Sequence, residues 1–244
     1  MKALILAAGY AVRLYPLTKE FPKPLLKVGR KPIIEHIINK LERIEAVDEI
    51  IVVTNSKFIR RFREWAAGFK CKKRISLVDD LTKAHADKRG AIGDMDFAVN
   101  KKRLKDDLLV IGGDNIFDGD LDAFCKFAEG KSPHPVIGSY DIKDIRQADK
   151  YGVVRLDKNS RIVDFKEKPK APKSTLVAMC LYYFPGSKLK RIRQYLRLRA
   201  RKSDATGFYI DWLRRAEAVY SYVFYGHWYD IGDRKFYDKA KKDF

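Results

Sequence analysis

The run KALILAA, Lys2–Ala8, passes almost without a polar side chain into Gly9. A strand that is apolar at successive positions, not alternate ones, must be covered on both faces, as in a sheet sandwiched between helices. The same pattern returns at Glu49–Thr54 (EIIVVT) and Leu108–Gly112 (LLVIG), with a shorter strand expected at Ile75–Val78. Helix-spaced runs separate these strands. Behind Pro32, the residues Ile33, Ile34, Ile37, Ile38 and Leu41 recur at three- and four-residue intervals, and Phe58–Phe69 and Ala91–Asn100 also read as helices. Strands alternating with helices imply right-handed crossovers and a mainly parallel sheet. The fold expected is α/β.

After about residue 135 the grammar changes. Val136–Asp141 is strand-like, and two β-rich runs, Gly152–Leu156 and Arg161–Phe165, flank Asp157-Lys158-Asn159-Ser160 as a hairpin would. Leu176–Phe184 is a further apolar strand. A basic amphipathic helix is expected from Lys188, then a helix over Tyr209–Ala218, a strand over Ser221–Tyr225, and a last helix after Asp233. No internal repeat or long linker interrupts the 244 residues. One domain over 1–244 is expected, with a nucleotide-binding half to about 134 and a substrate half from about 135.

Composition excludes several classes. A 46% hydrophobic and 12% aromatic content is too high for intrinsic disorder. No apolar run approaches the ~20 residues of a membrane-spanning helix. The amino-terminal apolar run is too short for a secretory signal, so a cytoplasmic protein is expected. Cys71, Cys125 and Cys180 are scattered, and form neither a disulfide framework nor a metal knuckle. The formal charge of +19 concentrates in Lys57–Arg74 and Lys188–Lys202; the second stretch has eight basic residues and no acidic one. No nucleic-acid motif accompanies it. It reads as a solvated face that raises the potential around an anionic substrate, rather than a nucleic-acid or membrane surface. Asp118, Asp120, Asp122 and Glu129 imitate a calcium loop, but the sixth position is Ala123 where that loop needs Gly.

Chemistry concentrates at Leu6–Leu26, LAAGYAVRLYPLTKEFPKPLL. Ligands of open α/β sheets bind outside the carboxyl ends of the strands, where this loop must lie. Ala7, Ala8 and Gly9 are small enough for backbone N–H groups to approach a phosphate. Arg13 offers a planar fork for phosphate oxygens, and Lys23 a point charge held between Pro22 and Pro24. Neither the dinucleotide fingerprint nor the Walker A pattern is present.

LAAGYAVRLYPLT, followed by PKPLL and GRKPIIEHII, resembles the signature of the sugar-1-phosphate nucleotidyltransferases, a Rossmann-like family. The chain departs from the family pattern at Ala11 and Val12, where Gly and Thr are usual. VIGGDNIF (Val110–Phe117), Tyr151–Val154, Glu167-Lys168-Pro169 and WYDIG (Trp228–Gly232) match further family segments in order, so the resemblance spans nearly the whole chain. It implies a three-layer sandwich around a mainly parallel, mixed sheet. It also implies Mg²⁺ held by Asp114 and Asp230, a sugar contacted by Gly152 and Glu167, and a sugar phosphate contacted by Lys168. Gly90 is the counterpart of the glycine beside the base, so Ala8, Gly9, Arg13, Lys23 and Gly90 are the expected nucleotide contacts. Cys180 stands where relatives often have Gly. Asp211 and Trp212 resemble a segment near the sugar and are given no catalytic role.

The reaction so implied joins an NTP to a sugar 1-phosphate, giving an NDP-sugar and pyrophosphate. Arg13, Lys23 and Asp114 are the catalytic candidates. The attacking phosphate is already an anion, so positioning and charge neutralisation suffice without a general base. Two alternatives stay open: a cytidylyltransferase acting on a non-sugar phosphomonoester such as phosphocholine, and a catalytically silent subunit that senses nucleotide-sugars. Base, sugar and the question of a homo-oligomer are left open by the sequence.

Overall fold

A computed structural model describes residues 1–198 and 205–243. In chain order its elements are β1 (Lys2–Leu6), β2 (Lys27–Val28), β3 (Lys31–Pro32), α1 (Ile33–Leu41), β4 (Glu49–Thr54), α2 (Ile59–Gly68), β5 (Arg74–Asp79), α3 (Gly90–Lys101), β6 (Leu108–Gly112), β7 (Asn115–Phe117) and α4 (Leu121–Glu129). There follow β8 (Val136–Asp141), β9 (Gly152–Leu156), β10 (Ile162–Glu167), β11 (Leu176–Phe184), α5 (Lys190–Leu198), α6 (Thr206–Ala216), β12 (Tyr220–Phe224), β13 (Trp228–Asp230) and α7 (Arg234–Asp243). Residues 199–202, the end of the expected basic helix, lie outside the described residues.

The sheet is mixed. β5, β4, β1 and β6 run parallel in that order, as βαβ crossovers require. β11 then lies antiparallel to β6, with β8 on its far side and β12 parallel to β8. The antiparallel share comes entirely from the part of the chain after residue 135. There β11 serves two partners: Leu181–Phe184 pair with β6, while Val177 pairs with β9 of the β9–β10 hairpin. The sheet therefore forks at the carboxyl end of β6.

Helices cover both faces, which accounts for the apolar runs. Ala3 and Ile5 of β1 join the core beneath α1, α2 and α4 with Ile34, Ile38, Phe62 and Phe124. Leu4, one position out of phase, joins the opposite core with Met95, Ile192, Tyr209 and Leu213 from α3, α5 and α6. Period-two alternation splits each strand between the two layers. The expected boundaries shift at a few places. α6 begins at Thr206, three residues before the expected start, because Gly207 and Ile210 also face the core. β1 ends at Leu6, and Ala7–Gly9 already belong to the loop. Asp120 caps α4 by accepting from the Asp122 and Ala123 N–H groups at 2.9 and 3.1 Å, which accounts for an acid there without calcium.

Candidate active site

The parallel strands deliver their ends to one edge. Leu6 is level with Val53 of β4 and Gly112 of β6, so the loops after β1, β4 and β6 emerge side by side. Gly113 is pressed against β1: its N–H donates to the Leu6 carbonyl at 2.9 Å, and a Cβ there would fall 2.7 Å from the same oxygen. That close approach sets Asp114 beside the first loop. Lys23 lies in a short 3₁₀ turn behind Pro22, and its Nζ donates to Asp114 Oδ2 at 2.5 Å and to the Ile231 carbonyl at 2.9 Å. Asp230 arrives from the far end of the chain. β13 pairs antiparallel with β7, which puts Asp230 opposite Asn115, and the Ile231 N–H donates to the Asp114 carbonyl at 3.1 Å.

The two acids repel each other. Burial, and then the Asp114 charge, push the Asp230 carboxyl up to about 6, against the pull of Lys23, Arg13 and Lys168. Among the described residues nothing hydrogen-bonds to the Asp230 carboxylate. A half-buried acid with no hydrogen-bonded partner among the described residues, held beside a second acid, is a poor structural device and a fitting cation ligand. The donor set is two hard carboxylates; no cluster of three or more His, Cys, Asp or Glu that could hold a metal forms among the described residues. This suits a cation such as Mg²⁺, which keeps several waters and takes substrate phosphates as ligands. Arg13 lies exposed near Asp230, its guanidinium 3.5 Å from where a Gly232 Cβ would stand.

A second group of residues stands beyond the fork. Glu167 ends β10, and its Oε2 would lie 1.8 Å from a Cβ on Gly207 and 3.1 Å from one on Gly152. Two glycines thus make room for one carboxylate, whose burial raises its proton affinity while Lys168 opposes the rise. Lys168 is exposed, takes φ +45°, and donates its N–H to the Tyr151 carbonyl at 2.9 Å. Gly9 is also open: a Cβ there would meet nothing within 4 Å. The Ala8 carbonyl accepts from Asn55 Nδ2 at 2.9 Å. Gly90, at φ +73°, starts α3 after the β5 loop.

The structure thus brings Arg13, Lys23, Asp114 and Lys168 within electrostatic reach of Asp230, with Glu167 beside Lys168 and against Gly152. Asp211 instead pairs with Arg214 and Arg215, and Trp212 stacks on Tyr209. Tyr151, Trp228, Thr206 and Gly207 were not singled out by sequence reasoning for the parts they take here. Tyr151 packs against Trp228 at 5.4 Å between centroids, with its hydroxyl under the influence of Asp230, Asp233 and Arg13. Trp228 Nε1 donates to Asn115 Oδ1 at 2.6 Å, locking β13 onto β7. The available signal was the Gly at 207, directly before an apolar helical run.

An open α/β sheet with acids and cations gathered outside its carboxyl edge defines a Rossmann-like fold, in which ligands bind at that edge. A protein-family model described as Nucleotidyl transferase matches residues 2–244, and the chain belongs to that family. Among curated relatives it is similar to the bifunctional protein GlmU of Methanocaldococcus jannaschii, 30% identical over 234 residues, and to that of Methanococcus aeolicus, 31% identical over 234 residues. Those alignments cover 95% of this chain and 51% of each relative, so the chain spans about half their length. A UDP-glucose pyrophosphorylase solved with UDP-glucose shares the fold, with a TM-score of 0.83 and 19% identity over 99% of this chain and 97% of the other. No helix among the described residues is long and apolar enough to cross a membrane.

Proposed function

We propose that the chain transfers a nucleotidyl group from an NTP to a sugar 1-phosphate, giving an NDP-sugar and pyrophosphate. A phosphate oxygen of the acceptor attacks the α-phosphorus in line, a P–O bond forms, and the bond to pyrophosphate breaks. Arg13 and Lys23 bind and orient the triphosphate, while Ala8, Gly9 and Gly90 line the nucleotide. Gly152 and Glu167 hold the acceptor's hydroxyls, and Lys168 holds its phosphate. Asp114 and Asp230 would hold Mg²⁺, which when bound neutralises charge on the phosphates. Residues to about 134 supply the nucleotide half and later residues the sugar half of one domain. An NTP donor makes the cytoplasm its compartment.

The observation that carries this reading is the Asp230 carboxylate, without a hydrogen-bond partner among the described residues, set beside Asp114 and the Lys23 ammonium. The UDP-glucose of the solved neighbour exemplifies the product class. The test is pyrophosphate release in Mg²⁺, crossing ATP, CTP, GTP, UTP and dTTP against a panel of sugar 1-phosphates and phosphocholine. Release that needs one NTP and one sugar 1-phosphate is expected. Release only with phosphocholine, or nucleotide-sugar binding without turnover, would overturn it.

A further inference from the structure

The fork in the sheet carries an unusual residue. Between Val177, which pairs with β9, and Leu181, which pairs with β6, the β11–β8 register shifts, and Cys180 takes φ +54°. An L-residue there is strained within a strand; only Gly takes that region freely. The strain fixes where the thiol goes. Its Sγ would be 3.2 Å from a Cβ on Gly112, and Asp114 Oδ1 would be 3.0 Å from the same point. The hydroxyls of Tyr182 and Thr206, which bond each other at 2.6 Å, are both within hydrogen-bonding reach of the thiol. Next to Thr206 comes Gly207, and against Gly207 lies the Glu167 carboxylate. Asp114, Cys180, Thr206 and Glu167 are therefore linked by successive close contacts.

We propose that the Cys180 side chain sets the width of the acceptor pocket, selecting a sugar 1-phosphate whose face toward β11 bears only hydrogen or hydroxyl, and rejecting one with an acylamino group. This rests on the transfer reading above. An acceptor with its phosphate held by Lys168 beside Asp230 and its hydroxyls at Glu167 faces Cys180, which stands between Asp114 and Thr206. The thiol adds volume there, and as a weak donor and acceptor it gives little in return to an amide. Discrimination by such a wall is of the order of a methylene or two, roughly ten- to two-hundredfold in kcat/KM.

The experiment compares glucose 1-phosphate with N-acetylglucosamine 1-phosphate, as kcat/KM from pyrophosphate release, in the unaltered protein, Cys180→Gly and Cys180→Ala. The unaltered protein is expected to favour the unacylated sugar. Cys180→Gly, which also relieves the positive φ and should melt no lower, is expected to raise the ratio of acylated to unacylated activity roughly tenfold or more. Cys180→Ala, which keeps Cβ and loses only sulfur, should fall between. A ratio that stays within about twofold in both variants, or an unaltered protein that already prefers the acylated sugar, overturns the inference and leaves the transfer reading standing. Absence of turnover by the unaltered protein across the wider panel overturns the transfer reading and this inference together.

Discussion

Ala11 and Cys180 take φ of +47° and +54°. Each holds a Cβ in the left-handed region, at a cost of ~1 kcal/mol. Such strain collects at functional sites, and Asp230 is held under strain of another kind, electrostatic and not conformational. Its carboxyl sits near 6 in the folded chain against 3.8 ordinarily, so between those values the folded state binds more protons than the unfolded one. The contribution of Asp230 to stability is thus fully present below about pH 4 and is lost as the pH rises through 6. Asp230→Asn in EDTA should therefore melt a few degrees above the unaltered protein at pH 7.5 and level with it at pH 4, by thermal shift. The same variant should lose turnover by at least about a hundredfold and lose the rise in Tm that Mg²⁺ gives the unaltered protein. Since a metal ligand must be deprotonated, that Mg²⁺ shift should also fade as the pH drops through 6. A Tm rise with Mg²⁺ that survives in Asp230→Asn would remove Asp230 from the metal site. Lys168→Ala should raise KM for the sugar phosphate about tenfold and KM for the NTP far less; equal rises would deny Lys168 its acceptor role.

Among elements, the decisive contact is α6 against the β9–β10 hairpin. Helix and hairpin meet at Gly207, where any side chain would strike Glu167. Gly207→Ala should displace that carboxylate, raise acceptor KM about tenfold and spare NTP binding. Adding Glu167→Ala to Gly207→Ala should then cost little more, since the first change has already moved the group; additive losses in a double-mutant cycle would mean the two act separately. This contact was not legible in the sequence, whereas the strands flanking it were. β1, β4 and β6 could be read because burial on both faces leaves a continuous apolar run, and α1 because five apolar residues keep its period. The β7–β13 pair could not. Each strand is three residues long, and nothing local in Asn115–Phe117 or Trp228–Asp230 says that they meet. Asp114 and Asp230 were named from ordered motifs, and only the pairing of those two short strands makes them neighbours. The fork at Cys180 was equally hidden, because a strand that changes partner midway has the same composition as one that does not.

At the scale of the whole molecule, a formal charge of +19 acts in two opposed ways. Some of it is neutralised locally: Glu217 takes Lys188 and Arg191, and Asp96 takes Arg193, so the basic face along α5 is partly a paired surface. The remainder repels itself, which destabilises the compact state, and draws anions toward the cleft, which favours a triphosphate. Salt screens both, since the Debye length falls from about 10 Å at 0.1 M to about 3 Å at 1 M. Raising NaCl from 0.05 to about 0.5 M should therefore increase Tm by a few degrees while weakening NTP binding several-fold, measured on the same preparation by thermal shift and by titration in Mg²⁺. A nucleic-acid surface would behave otherwise. Random duplex would then bind tightly at low salt, and its binding would fall linearly on a log–log plot against salt with a steep slope, whereas a solvated face predicts only weak retention of duplex at any salt. If Tm and NTP affinity instead moved in the same direction with salt, the excess charge would be serving the fold, and the cleft would owe its pull on phosphates to Arg13 and Lys23 alone.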